Sequence, residues 1–272
     1  MIIRESGGRF KSLLSIARRS VSVRLIASVF CVAVTFASAA EAQAKGNVEL
    51  TVIDGTLHIT GDERENNIIV IRACCDKVLV TGRAETTVNG GAGRVDVEGV
   101  TRDIDIRLNG GDDFLRVEMV SGSAALAKDL RIRAGKGDDI IELLGVAVQD
   151  STVIDLGDGN DIVFIDGVLN PNEYVRPDFR GGFSLDAGNG DDLLEFHHAL
   201  FRGAVDVSMG SGVDAVCNTE DSEFQNFDAA RFDGGPPTGF PGDGFVAPIV
   251  YFTHLTGFEN FPDDCAYLGG RD

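Results

Sequence analysis

Five short runs of the chain place an aspartate behind glycine at a fixed spacing. They are "LNGGDDFLRV" (108–117), "AGKGDDIIEL" (134–143), "LGDGNDIVFI" (156–165), "AGNGDDLLEF" (187–196) and "MGSGVDAVCN" (209–218). The shared core is Gly or Asn, any residue, Gly, any residue, Asp. Its aspartates, Asp113, Asp139, Asp161, Asp192 and Asp214, recur at intervals of 26, 22, 31 and 22 residues. Carboxylates brought together in this way would do cation chemistry. A hard divalent ion takes its ligands from carboxylate and carbonyl oxygens, and glycines such as Gly137, Gly159 and Gly190 let carbonyls turn without a side chain in the way. Asp138 and Asp191 stand beside the core aspartates as further oxygen donors. The plain alternative is that Asp and Gly are common turn formers, with Asp accepting a local backbone hydrogen bond.

The elements that must position these residues show in the alternation around each corner. Seven residues before each aspartate stand Ile106, Ile132, Ile154, Leu185 and Val207, and five before stand Leu108, Ala134, Leu156, Ala187 and Met209. Nine before stand Ile104, Leu130, Thr152, Phe183 and Val205, so only the threonine is polar in three columns. The positions between them are mostly polar, as in a strand with one buried face. A second strand follows each aspartate, with Leu115, Ile141, Val163, Leu194 and Val216 two residues on. A unit of about 22 residues cannot bury its own apolar face, but stacking on the next unit does so for both. The expected fold is therefore all-β: a parallel β-helix, or β-solenoid, over 45–218, with the Phe-, Pro- and Gly-rich segment 219–272 as its C-terminal cap. The longer intervals fit as loops at 118–129 and 166–182. Upstream, 48–103 keeps the alternation without the full corner, and Asn67 is the expected degenerate first corner, in coils that shield the N-terminal edge.

The corners resemble the hemolysin-type calcium-binding nonapeptide of repeat-in-toxin proteins, Gly-Gly-x-Gly-x-Asp-x-(large apolar)-x. "AGKGDDIIE" and "LGDGNDIVF" match it at the second and third glycine, the aspartate and the apolar position, while the first glycine is Ala or Leu. The resemblance implies Ca²⁺ as the bound ion. It departs from the family in carrying one nonapeptide per 22 to 31 residues, so that only one edge of the stack would be metallated. The family's usual C-terminal secretion signal is replaced by an N-terminal one, and no toxin or protease motif accompanies the repeats. In-register aspartates about 4.8 Å apart would repel by ~3.5 kcal/mol at an effective dielectric near 20, which a cation relieves.

Composition sets the context. Residues 1–44 run from a basic stretch into "LIASVFCVAVTFASAA" and end at "AQA", the pattern of a cleaved secretory signal, and nothing later is long enough for a spanning helix. The whole chain has 24 Lys and Arg against 43 Asp and Glu, a net −19, and without residues 1–44 the balance is 18 against 41. Such acidity argues against nucleic-acid partners and favours cations, with envelope or extracellular-matrix components as macromolecular partners. Cys74, Cys75, Cys217 and Cys265 follow the signal, an even number suited to an oxidising compartment. Cys217 with Cys265 is the favoured pairing, because it would staple the tail to the body.

The leading function is a secreted or cell-surface calcium-binding solenoid acting as a structural or interaction module. The alternative is a polysaccharide lyase or hydrolase, in which Arg107, Arg131 or Arg133 serves as base with Asp155 or Asp186 as partner. Solvated charges explain the same residues, and the absence of Trp removes the usual sugar-stacking platform. A third reading, a fragment of a larger adhesin, is weakened by the signal and the cap. His58, His197, His198 and His254 are scattered, and a zinc site around His197 and His198 is disfavoured because neighbours on a strand face opposite ways.

Overall fold

The computed structural model describes residues 46–256 and 258, apart from 75–76, 120–124, 171–172, 220–221, 237–243 and 247–253. Residues 1–44, expected to be a signal, and Cys265 lie outside them. The body that holds the described residues is all-β, with one short 3₁₀ turn at Phe227–Ala229. Most strand pairs are parallel and lie in three sheets of ten, nine and four strands. Among the described residues no helix is long and apolar enough to cross a membrane.

Each repeat contributes one strand to each large sheet in turn. Leu130–Lys136, Thr152–Asp158, Phe183–Asn189 and Val205–Ser208 are successive neighbours in the ten-stranded sheet. Ile140–Leu144, Ile162–Asp166, Leu193–His197 and Ala215–Thr219 are successive neighbours in the nine-stranded one. The register matches the sequence columns: Ile154 pairs with Ile132 and with Leu185, and Val163 pairs with Ile141 and Leu194. Alternation puts these side chains on one face, and stacking removes them from water. Ile106, Ile132, Leu143 and Val163 are fully buried, each such side chain worth ~1.5–3 kcal/mol of transfer free energy. Thr152, the polar member of its column, is buried with the rest, and its Oγ1 has no partner.

The four-stranded sheet is made of two-residue strands in the return segments: Ala147–Val148, Asp178–Phe179, Leu200–Phe201 and Glu223–Phe224. Phe179, Phe201 and Phe224 stack along it with ring centroids 5.1 and 4.8 Å apart, and Phe183, Phe196 and Phe232 meet that stack edge-on or tilted. The long loop expected at 166–182 therefore contains strands. It holds an antiparallel pair, Val168–Asn170 with Glu173–Val175, and then a strand of the third sheet.

The N-terminal part differs from the expected coils. Asn47–Ile53 and Thr56–Thr60 form an antiparallel hairpin, as do Asn67–Cys74 and Lys77–Gly82, with Arg94–Val97 antiparallel beyond it. Thr56–Thr60 and Asn67–Cys74 then pair in parallel with the first full repeat, at Ile104–Gly110 and Phe114–Met119. Because Asn67 pairs with Phe114, the residue in register with Asp113 is Asn66, so the first corner lies one residue earlier than the spacing suggests. At the other end the parallel pairing runs past Asn218: Ala230–Asp233 joins Val205–Ser208, and Gly244–Val246 joins Ala215–Thr219.

Candidate metal centre

The strand after each corner fixes the direction of its aspartate. Leu115 and Val117 face the core, and residue 113, two earlier, faces the same way. All five corner aspartates are accordingly buried, at 2, 0, 0, 2 and 1% exposure for Asp113, Asp139, Asp161, Asp192 and Asp214. They form an internal column rather than a solvated ridge.

Each carboxylate in the column accepts a hydrogen bond from the preceding repeat. The N–H of Asp113 donates to Oδ1 of Asp139 at 2.8 Å, that of Asp139 to Asp161 at 2.7 Å, that of Asp161 to Asp192 at 2.8 Å, and that of Asp192 to Asp214 at 2.9 Å. At the top, the N–H of Asn66 donates to Oδ1 of Asp113. These bonds use one oxygen of each carboxylate. The other, Oδ2, is buried without a partner in Asp113, Asp139, Asp161 and Asp192.

That orphaned row governs the electrostatics. Burial is the largest influence on Asp113, Asp139, Asp161 and Asp192, raising their pKa values to about 8, 7, 6 and 8 against the opposing effect of the backbone hydrogen bonds. Neighbouring carboxylates push the same way, Asp139 on Asp113 and Asp161 on both Asp139 and Asp192. Protons or a bound cation would each relieve that cost.

A second column runs outside the first and in the opposite sense. Asp138 donates its N–H to Oδ1 of Asp112, Asn160 to Asp138, Asp191 to Asn160, and Val213 to Asp191, at 2.8–3.0 Å. Asp138 and Asp191 are exposed, and one oxygen of each is held by the following repeat. The glycines let the corners nest. Gly159 has φ of 142°, and a Cβ built on it would stand 1.9 Å from the carbonyl oxygen of Gly137. Gly190 sits on Gly159 in the same way, and Gly137 on Gly111.

Among the described residues no group of three His, Cys, Asp or Glu side chains is placed to hold a metal ion. The column offers carboxylates singly, one per repeat. An ion there would have to complete its shell with backbone carbonyls, as Ca²⁺ readily does with its 6–8 oxygen ligands. The buried, unpartnered Oδ2 atoms fit such an ion. The residues that would hold it are Asp113, Asp139, Asp161, Asp192 and Asp214, with carbonyls of the corners around Gly137, Gly159 and Gly190.

The other sequence candidates are engaged elsewhere. Arg107 and Arg133 lie 3.1 and 3.7 Å from Asp105, and Arg131 lies 2.7 Å from Asp129. Asp155 and Asp186 pair with each other in register on an exposed face. A cleft of about 300 Å³, lined by Asn67, Ile69, Arg83, Ala84, Phe114 and Arg116, contains none of these five. His197 contacts Glu195 at 2.7 Å, whereas His198 leaves the strand at φ 54° and meets Tyr174 and Asp166 at 2.9 and 3.3 Å. Cys217 is buried, and Cys265, its expected partner, lies outside the described residues.

Comparison with protein-family models, with curated proteins and with solved structures gives no match.

Proposed function

We propose that the three sheets close into a parallel β-helix of about 22-residue coils whose aspartate column binds Ca²⁺, and that the protein is a secreted or cell-surface structural or interaction module. The observation that carries this reading is the row of four buried Oδ2 atoms without partners, on Asp113, Asp139, Asp161 and Asp192 at successive corners. Bound Ca²⁺ would supply the positive charge that lets those carboxylates stay ionised inside the stack. The chain's own residues supply everything else: the aspartates bridge successive repeats, the glycines bring the corners into contact, and the phenylalanine stack fills the third side.

Export is supported by residues 1–44, and attraction of cations by the net charge of −19. The antiparallel hairpins would close the N-terminal end of the helix, and part of 219–272 would cap the other. Partners of the module are then components of the envelope or extracellular matrix. Against the lyase reading, Arg107, Arg131 and Arg133 each lie within 4 Å of a carboxylate.

Calorimetry on EDTA-stripped protein tests the proposal. With dissociation constants of 10⁻⁴–10⁻³ M, as in extracellular modules, calcium at 100-fold excess stabilises by ~2.7 kcal/mol per site. The expected result is a melting temperature that climbs with millimolar Ca²⁺. An unchanged melting temperature removes the metal role.

A further inference from the structure

Asn66 takes the place of the aspartate in the first corner, as its register with Asp113 requires. It is fully buried, and its side-chain Nδ2 is surrounded by oxygen. The carbonyl of Arg64 lies at 2.7 Å, Oδ1 of Asp113 at 3.1 Å, and the carbonyls of Asp62 and Leu108 at 3.4 Å. Three carbonyls and a carboxylate thus converge on one nitrogen. That orientation of the amide is the one its surroundings demand, since the reverse would set an oxygen among oxygens.

Every later corner carries a carboxylate at this position. For Asp113 the residues in the equivalent places, one repeat on, are Gly111, Asn109, Ala134 and Asp139, as the registers of Asn67 with Phe114 and of Ile106 with Ile132 set them, and its buried Oδ2 finds no partner among them. A buried carboxylate oxygen without a donor needs a positive centre beside it. The first corner differs in its backbone as well. Asp62 and Arg64 stand where the second, third, fourth and fifth repeats all have glycine.

We propose that Asn66 is a built-in substitute for the corner cation, its amide N–H groups supplying at the first corner the positive charge that the ion supplies at the later ones. The inference rests on the calcium reading of the column and specifies where that column ends. The amide ties the carbonyls of its own corner to the first full repeat without metal, so the junction between the antiparallel hairpins and the parallel stack holds in the absence of calcium. The metal-dependent part then begins at Asp113.

The test is Asn66→Asp in the full chain, read by the calcium retained per molecule and by the melting temperature in EDTA and in millimolar Ca²⁺. The variant is expected to retain one further calcium, to melt below the native protein in EDTA, and to gain more from calcium than the native protein does. Asn66→Leu, of similar size but without hydrogen-bonding groups, is expected to melt lower in both conditions and to retain no further ion. The converse change, Asp139→Asn, is expected to lose calcium and to melt higher in EDTA. Should Asn66→Asp retain the native amount of calcium and melt equally lower in both conditions, the substitution idea fails while the calcium column stands. Should Asn66→Asp fail to fold in either condition, an Asp139→Asn protein no more stable than native in EDTA overturns the idea. A native protein that retains no calcium removes the column itself, and the role of Asn66 with it.

Discussion

The backbone N–H of Asp139 donates to Oδ1 of Asp161, 22 residues further on, at 2.7 Å. One side chain thereby does what a sheet hydrogen bond does, but at the corner, where the strands have ended. The donor is buried with its residue and has no water to turn to. Asp161→Ala should therefore cost ~1–3 kcal/mol for the unmet N–H, before any loss from the space left behind. Asp161→Asn keeps an oxygen for the same N–H and removes a buried charge, so in EDTA at pH 8 it should be at least as stable as the native protein. Urea denaturation of the two variants separates the hydrogen bond from the charge.

The pH dependence of the metal-free protein follows from the raised pKa values. Asp113, Asp139, Asp161 and Asp192 titrate in the folded state at about 8, 7, 6 and 8, above the value of 3.8 for a free side chain. The folded state holds more protons than the unfolded one between these limits, so the associated stability is present below pH 4 and is lost as the pH rises toward 8. Asp129 and Asp178 oppose this at the acid end. Hydrogen bonds from Ser151 to Asp129, and from Arg202 and Arg180 to Asp178, hold those carboxyls below the usual range despite burial, and that stability is lost as the pH falls through their folded pKa values. Melting in EDTA should consequently be higher at pH 5 than at pH 8. Calcium should narrow the gap by stabilising the ionised column, and a melting temperature in EDTA that rises from pH 5 to pH 8 would contradict the buried-column account.

Much of this arrangement was legible in the sequence, because recurrence and alternation are properties of single residues. The columns through Ile132 and Leu143 needed only a period of two, and the corner spacing fixed which repeats would be neighbours. The burial of Asp113 was carried by the same signal. Leu115 and Val117 face inward, and two residues earlier is the same face, but a glycine corner reads as a turn and a turn reads as exposed. The hairpins were also written in the chain. Asp54-Gly55, joining Asn47–Ile53 to Thr56–Thr60, and Asn89-Gly90, in a tight turn closed by the antiparallel bridge of Val88 with Gly91, have both residues at positive φ, as two-residue hairpin turns require, and these pairs outweigh the alternation that suggested further coils. Asn66 escaped because Arg64 stands where every other corner has a glycine two residues before its aspartate, leaving only a distance to count from. The third sheet gave no periodic signal, since a strand such as Leu200–Phe201 is too short to have one.

That third sheet should matter to stability more than its length suggests. Phe201 lies between Phe179 and Phe224, with interplanar angles of 13° and 8°. Phe201→Ala opens a gap that neither neighbour can fill, since each is held by further edge-on rings, and a loss of ~3–5 kcal/mol is expected. Phe201→Leu, which keeps most of the volume but not the ring faces, should lose clearly less. Equal losses in urea denaturation would show that the stacking adds nothing beyond the space filled.

The glycines allow a sharper comparison, because two of them share a positive φ but not their surroundings. Gly90 has φ of 72° in a hairpin loop, and a Cβ built on it would meet nothing within 4 Å. Gly90→Ala should cost only the strain of the left-handed backbone, ~1–2 kcal/mol. Gly159, at φ 142°, faces the carbonyl oxygen of Gly137 at 1.9 Å from the same built atom, a separation no real contact reaches. The carbonyl belongs to the corner of the preceding repeat, so it can give way only if the two repeats move apart. That movement would stretch the bond from the N–H of Asp139 to Asp161 and the bond from the N–H of Asn160 to Asp138 together. Gly159→Ala should therefore cost more than ~4 kcal/mol, or prevent folding, and calcium should restore less of the loss than it does for Asp161→Ala. A Gly159→Ala protein as stable as Gly90→Ala would mean that the corners are not nested as described.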